Sequence, residues 1–472
     1  MGGALATGNP HTSDAAEALL RDGGNAVDAA VAACLAAFVA EPLLASAGGS
    51  GILTLRQRSG ECALVDFFSA MPSVPLGERD FAAVDVDFGS AIQRFHVGRA
   101  SVAAPMALPG LSEALRRFGT RPLRIVAEPA IALAKEGPKV TPESAEVFSL
   151  LWPINLRGAS VAYVDGDAPP KAGSRRPMPG LADLLTAFAE EGTTPAHFRE
   201  GMLEHFGPNA GGCLTPDDLA AQPEVLSPAR HRLGDYELLL SPRLGGRLLA
   251  LIAGALAERT PHGPLHESFE EWARLAEACR RGSRAKDDRP GFGSTTHISV
   301  IDAHGGACSV TLTNGEGCGH LLPGTDTQLN NFLGEEDLHP QGFFRHAPGT
   351  PLPSMIAPTI AEGPSGVLAL GSGGANRIRS VVAQVLWRVV CLSSRLDAAV
   401  LAPRAHAEEA AAWFEAPDFD AEAITTRLER DFDAVFSFPR RAFFFGGVHA
   451  ASGGKEFEAF ADPRRGGAAR LL

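Results

Sequence analysis

The chain is expected to fold as sheets covered by helices, in an α+β or layered α/β arrangement. Three observations lead there. Segments 297–301 and 307–313 alternate apolar and polar residues around Asp302-Ala303-His304-Gly305-Gly306, the signature of a β-hairpin. Asn25 leads an alanine-rich helical stretch, 26–39, whose small side chains allow close packing. A strand at 367–370 runs into Gly371-Ser372-Gly373-Gly374 and a helix at 377–390.

The remaining elements follow in order. Ser13 with Asp14 and Glu17 reads as the cap of a helix to Asp22, broken by Gly23-Gly24. Glu41-Pro42 stops the alanine-rich helix, because the residue before proline is pushed out of helical geometry. Strands 52–55 and 62–68 pair across a Ser59-Gly60 turn. Helices are expected at 111–118, 129–135, 142–149, 181–189, 195–206, 245–257 and 267–278, with a strand at 236–240. Residues 282–293 are charged, end in proline and glycines, and read as an exposed flexible run. Phe443-Phe444-Phe445 reads as one more buried strand.

With 472 residues and 45% hydrophobic composition, the chain can bury one large core or two to three domains. A net charge of −13 argues against nucleic acid as a partner. Seven scattered cysteines without CxxC spacing fit free thiols in a reducing compartment better than a disulfide framework. Cys308 and Cys318, ten residues apart, have no clean second pair to complete a zinc site. The first twenty residues carry neither a basic nor an apolar secretory region. The apolar run 26–44 contains Asp28 and Glu41, which favours a buried helix over a membrane span. The expected location is the cytoplasm.

The chemistry centres on Gly293-Ser294-Thr295-Thr296-His297. An internal threonine hydroxyl is a poor nucleophile. One that begins a chain can lose its proton to its own α-amine, whose pKa of about 7.7–8.0 suits a general base. Thr295 opens one strand of the hairpin and Thr313 lies across it, placed to hold the Thr295 hydroxyl. The glycine segment 371–374 and the following Ala375-Asn376-Arg377 sit between strand and helix, where backbone N–H groups can face an oxyanion; a phosphate loop is the rival, but neither phosphate motif is present. In the rigid stretch 348–358, Ser354 can donate to a substrate carboxylate or merely cap a turn.

Taken together, GGNAVDAAVAA from Gly23, EPLLASAGGSGILTL from Glu41, STTHISVIDAHGGACSVTLTNGEG from Ser294, PGTDTQLNN from Pro323, PLPSMIAPTI from Pro351, GSGGANRI from Gly371, PRAH from Pro403 and DPRRGG from Asp462 resemble the gamma-glutamyltransferase family of N-terminal nucleophile hydrolases. The resemblance spans nearly the whole chain. It implies a four-layer αββα sandwich and a precursor that cuts itself into a large piece, 1–294, and a small piece, 295–472. It implies Thr295 as nucleophile, Thr313 as its positioning partner, and the N–H groups of Gly374 and Ala375 as oxyanion hole. Ser354 falls on the second of two substrate-binding serines.

Departures concern the substrate. Pro353 replaces the first of those serines. Phe68, in Asp66-Phe67-Phe68-Ser69, stands where the family has an arginine for the substrate α-carboxylate, and a phenyl ring cannot form that clamp. The acid for the substrate α-amine aligns with Glu335, with Glu336 and Asp337 as competitors. Asn314-Gly315 shifts the usual asparagine by one position. Arg94, Arg99 and Arg377 are candidates to restore a carboxylate contact, Arg377 being expected to be structural. The resemblance therefore implies hydrolysis or transfer of γ-glutamyl amides such as glutathione, with water or an amino acid or peptide as acceptor. A threonine-based acyl transfer of this kind needs neither metal nor organic cofactor. The rivals are an acylase for a glutaryl or other acyl amide, and a non-catalytic relative that keeps the fold.

Overall fold

A computed structural model describes residues 2–73, 80–87, 92–155, 163–258, 269–285 and 294–472. Two sheets form its centre. The first has the order β13-β1-β7-β8-β2-β3-β4. Its strands are β1 (Ala4–Thr7), β2 (Ser50–Arg56), β3 (Cys62–Phe67), β4 (Glu224–Leu226), β7 (Thr295–Ile301), β8 (Ala307–Thr313) and β13 (Ala468–Leu471). The second has the order β12-β11-β10-β9-β6-β5, from β5 (Ala229–Leu233), β6 (Tyr236–Leu240), β9 (Thr359–Gly363), β10 (Gly366–Gly373), β11 (Gly447–Gly454) and β12 (Phe457–Ala461).

The sheets pack face to face, with β10 and β11 against β7. Because both faces of each sheet are covered, β7 and β8 are buried along their whole length, polar residues included. Those polar residues are satisfied between the layers. The His297 ring bonds Thr311 and Ser299 at 2.8 and 2.9 Å and lies against Gly371, where a Cβ would come within 2.4 Å of it. Burial, then the nearby His449, pushes the His297 pKa well below its usual value, so the ring is neutral.

Helix Ala26–Ala40 lies on the outer face of the first sheet against β7 and β8, and every one of its residues is buried. Asn25 leads it, as the sequence predicts, and caps it, with Asp28 closing a capping box. Helices Leu244–Ala257, Phe269–Arg284 and Arg377–Leu392 pack on one another, and Arg377–Leu392 lies against β10 of the second sheet. The result is helix, sheet, sheet, helix, the expected four-layer architecture. Among the described residues, no helix is long and apolar enough to cross a membrane.

Four local expectations change. The first helix spans Pro10–Arg21 with Asn9, not Ser13, as cap, because Asn9 accepts from His11 N–H and Pro10 suits the first helical turn. Pro129, read as a helix start, sits inside Leu123–Glu136. The run from 282 is not all exposed: the helix continues to Arg284, with Gly282 against Ile252 and the Ser283 hydroxyl on Glu408, while 286–293 lie outside the described residues. Phe443–Phe445 is a 3₁₀ turn rather than a strand. The Phe444 and Phe445 rings pack on each other and on Phe438, and Gly446, at φ +67°, turns the chain into β11.

Candidate active site

Hairpin register sets the centre. β7 and β8 pair antiparallel with Thr295 directly opposite Thr313, and Ser50 of β2 lies opposite Thr313 on its other side. Side chains opposite each other share a face, so the two threonine hydroxyls approach to 3.3 Å. Thr313 accepts from the Thr295 hydroxyl and from Gly315 N–H (3.0 Å), and donates its own proton to the Ser294 carbonyl at 2.8 Å. One hydroxyl thus orients the candidate nucleophile and polarises the carbonyl immediately before it. Thr313→Val is expected to slow any cut at this bond by about 100-fold, the typical effect of losing one donor to a developing oxyanion. The half-life of the full-length band on a denaturing gel measures it.

Glu316, which sequence reasoning passed over, holds the other side of the same peptide. It is fully buried, and its Oε1 accepts from Ser294 N–H at 2.9 Å. Burial, then the charge of Asp337, pushes its pKa well above the carboxylate range. The signal in the sequence was a lone acid between Gly315 and Gly317, which nothing but three-dimensional context distinguishes from a turn residue.

Glu335 is buried beside it, and burial followed by the charges of Glu316 and Asp337 raises its pKa too. Its Oε1 has no hydrogen-bond partner among the described residues. A Cβ on Gly315 would lie 2.1 Å from that oxygen and 2.2 Å from Asn331 Oδ1. The glycine, at φ +63°, is therefore required twice, by its backbone and by the groups that fill its side-chain space. Glu336 is only half-buried, and of the three acids Glu335 is the one set against Gly315.

The other nominated residues divide. Asn314 turns its amide away to Pro42 O (3.2 Å) and the Ser46 hydroxyl (3.0 Å), so it ties the hairpin end to the 42–46 segment. The Ser354 hydroxyl accepts from Ile356 N–H at 3.2 Å, a turn cap. Phe68, just beyond β3, stacks on Phe332 at 5.0 Å within an apolar cluster that includes Met71, Leu333 and Leu352. Arg94 pairs with Asp85 and Arg99 with Asp80. Arg377 gives its Nε–H to Phe444 O at 3.0 Å and lies over the Phe444 ring.

β10 brings the glycine loop to Thr295. A Cβ on Gly373 would lie 2.1 Å from the Thr295 carbonyl oxygen. Gly374 has φ +122° and Ala375 φ +46°, a left-handed conformation that is strained for alanine. Both are buried, and among the described residues neither N–H has an acceptor.

Glu41 supports the second threonine of the pair. It accepts from Thr296 (2.7 Å) and Thr12 (2.9 Å), and burial raises its pKa to about 7. The folded state holds this proton where the unfolded chain, with a pKa near 4.5, has lost it. Stability therefore falls as pH rises from about 4.5 through 7, by roughly 3 kcal/mol from this group. Glu41→Gln is expected to flatten that decline, read as urea midpoints at pH 4.5 and 8.

A four-layer sandwich with a buried threonine leading a central strand defines the N-terminal nucleophile hydrolase class. Within it, the chain belongs to the gamma-glutamyltranspeptidase family, whose profile matches residues 12–289 and 281–472. It is 28% identical to the acylase ACY 1 proenzyme of Pseudomonas sp. (strain SE83), over 95% of this chain and 89% of that protein. It is 26% identical to the glutathione hydrolase proenzyme of Escherichia coli (strain K12), over 82% and 78%. The crystal structure of cephalosporin acylase from Bacillus halodurans superposes with a TM-score of 0.83 at 20% identity, covering 99% of this chain and 95% of that one.

Proposed function

We propose that the chain is a precursor that cuts itself between Ser294 and Thr295, and that the freed Thr295 then carries an acyl group in the hydrolysis or transfer of an amide, γ-glutamyl amides such as glutathione being the first choice. The observation that carries this reading is the Thr313 hydroxyl bridging Thr295 Oγ1 and the Ser294 carbonyl. In the first stage Thr295 Oγ1 bonds to the Ser294 carbonyl carbon. The C–N bond breaks, the hydroxyl proton passes to the Thr295 nitrogen, and water opens the resulting ester. The Glu316 contact to Ser294 N–H holds the departing strand end in register while this happens. In the second stage the new α-amine takes the Thr295 proton, Oγ1 attacks the substrate amide, and the N–H groups of Gly374 and Ala375 receive the oxyanion. The amine leaves with the proton, and water or an acceptor amine releases the acyl group.

Support for a γ-glutamyl donor is Glu335, whose unpaired buried oxygen suits a substrate ammonium; binding a cation there would also draw its raised pKa back down. The proenzyme names of relatives among both acylases and glutathione hydrolases support the cut into two paired pieces, 1–294 and 295–472. A second reading, an acylase for a glutaryl or similar amide, is favoured by Phe68 stacked on Phe332 where an arginine clamp is expected. Intact-mass analysis of purified protein tests the cut. Side-by-side turnover of γ-glutamyl and glutaryl anilides tests the substrate, and equal or faster glutaryl turnover selects the second reading.

A further inference from the structure

Arg465 lies in the DPRRGG segment but is given no role by the sequence. It follows Arg464 at the 3₁₀ turn before β13 and is 7% exposed. Its guanidinium lies between the Phe443 ring, 3.9 Å from the centroid, and the glycine loop. A Cβ on Gly373 would sit 3.1 Å from Nη1 and one on Gly374 3.6 Å from Nη2. A side chain on Gly373 would press on this cation as well as on the Thr295 backbone, while one on Gly374 would be in ordinary contact with it.

Arg465 Nε and Nη1 are buried without a hydrogen-bond partner among the described residues. The nearby carboxylates make their hydrogen bonds to other groups: Asp462 to Arg404 and Arg464, Glu41 to Thr12 and Thr296, and Glu316, through Oε1 alone, to Ser294 N–H, its Oε2 having no partner among the described residues. Burial, then repulsion by Arg377, pulls the Arg465 pKa down to about 9, against the opposing pull of the Asp462, Glu316 and Glu41 charges. A buried guanidinium with unmet donors is costly unless an anion completes it. Arg465 also lines a small cleft of about 30 Å³, walled by Glu41, Leu44, Glu143, Val147, Phe148 and Phe443. It therefore connects that cleft to the oxyanion loop.

We infer that Arg465 is the carboxylate-binding residue of this site, taking over the role left vacant at Phe68 by approaching the substrate from the glycine-loop side. The inference rests on the proposed acyl-transfer function. A planar guanidinium offers the paired donors that a carboxylate accepts, and Phe443 fixes its plane. The carboxylate belongs either to the acyl group or to the leaving amine, and both place it within a few bonds of the carbonyl under attack.

Three anilides separate these sources: pentanoyl-p-nitroanilide, glutaryl-p-nitroanilide, and pentanoyl-3-carboxy-4-nitroanilide. The measured quantity is the ratio of kcat/KM for each carboxylated substrate to that for the neutral one, in wild type, Arg465→Met and Arg465→Lys. The ratio cancels any general damage to the site. Arg465→Met is expected to lower it about 30-fold, as for the loss of a charge-assisted hydrogen-bonded pair, and Arg465→Lys by less. A fall for the glutaryl substrate assigns the acyl carboxylate; a fall for the carboxyanilide assigns the leaving amine. Unchanged ratios for both overturn the inference while leaving the acyl-transfer reading intact. If wild type cleaves none of the three, nor a γ-glutamyl anilide, the acyl-transfer reading fails, and calorimetric titration with glutarate decides the subsite. Binding at least tenfold weaker in Arg465→Lys supports it, and equal binding sinks it.

Discussion

Thr295→Ala is expected to leave a single 49.3 kDa chain after prolonged incubation and to lower amide turnover by about 10⁴-fold or more. Both losses come from one atom. In the uncut chain Oγ1 is the group set 3.3 Å from Thr313 and beside the carbonyl that Thr313 polarises. In the cut chain the same oxygen would carry the acyl group. Alanine keeps the backbone, the strand register and the Thr313 contact to Ser294, so a folded but inert precursor is the expected product. Thr295→Ser keeps the hydroxyl but frees it about χ1, and should cut more slowly. Mass spectrometry of the intact protein, followed by an anilide assay, reads both outcomes. A Thr295→Ala protein that still appears as two pieces meeting at 294 and 295 would end the self-cleavage reading. Full turnover by an unbroken chain would end the nucleophile assignment.

The largest loss of stability is expected far from that chemistry, at Asp462→Ala. The side chains of Arg404, Glu415, Asp462 and Arg464 are fully buried and bonded in one network. Asp462 takes Arg404 at 2.6 Å, Arg464 at 3.2 Å and Val448 N–H at 3.1 Å, while Glu415 takes Arg464 at 2.6 Å and Ala442 N–H at 2.8 Å. Burial pushes the Asp462 carboxyl up, but the two guanidiniums outweigh it and hold it below its usual pKa. Removing it strands two buried cations against one remaining acid. Breaking a buried pair in this way costs roughly 3–5 kcal/mol, a large part of the 5–15 kcal/mol typical of a folded protein. Urea unfolding in a Thr295→Ala background, where the chain is expected to stay whole, measures it. Arg94→Ala, which breaks only the exposed Asp85 pair, is the control expected to match the parent.

The layered fold and the hairpin at its centre were legible because alternation and turn chemistry are local. Asp302 accepts from both His304 N–H and Gly306 N–H, and that turn fixes the register that sets Thr295 opposite Thr313. What the sequence could not carry was long-range geometry. Glu316 reads as part of a glycine-rich turn until the fold brings Ser294 onto it. Asn314 reads as a displaced substrate ligand until its amide is found on Pro42 and Ser46, far back in the chain. Arg465 and Phe443 reach the glycine loop only because β11 and β13 bring the end of the chain back beside β10 and β1. Aromatic content alone misread Phe443–Phe445, where a tight turn sets Phe444 and Phe445 against each other and Phe443 against Arg465.

The order β13-β1-β7-β8-β2-β3-β4 has a consequence for the life of the molecule after any break at 294–295. β1 would belong to the front portion yet stay clasped between β13 and β7 of the rear portion, while β8 of the rear stays zipped to β2 of the front. Neither portion would own either central sheet complete. They could not dissociate and swap partners as ordinary subunits do, and an affinity tag on either should retrieve both in equal amounts until denaturant melts the whole.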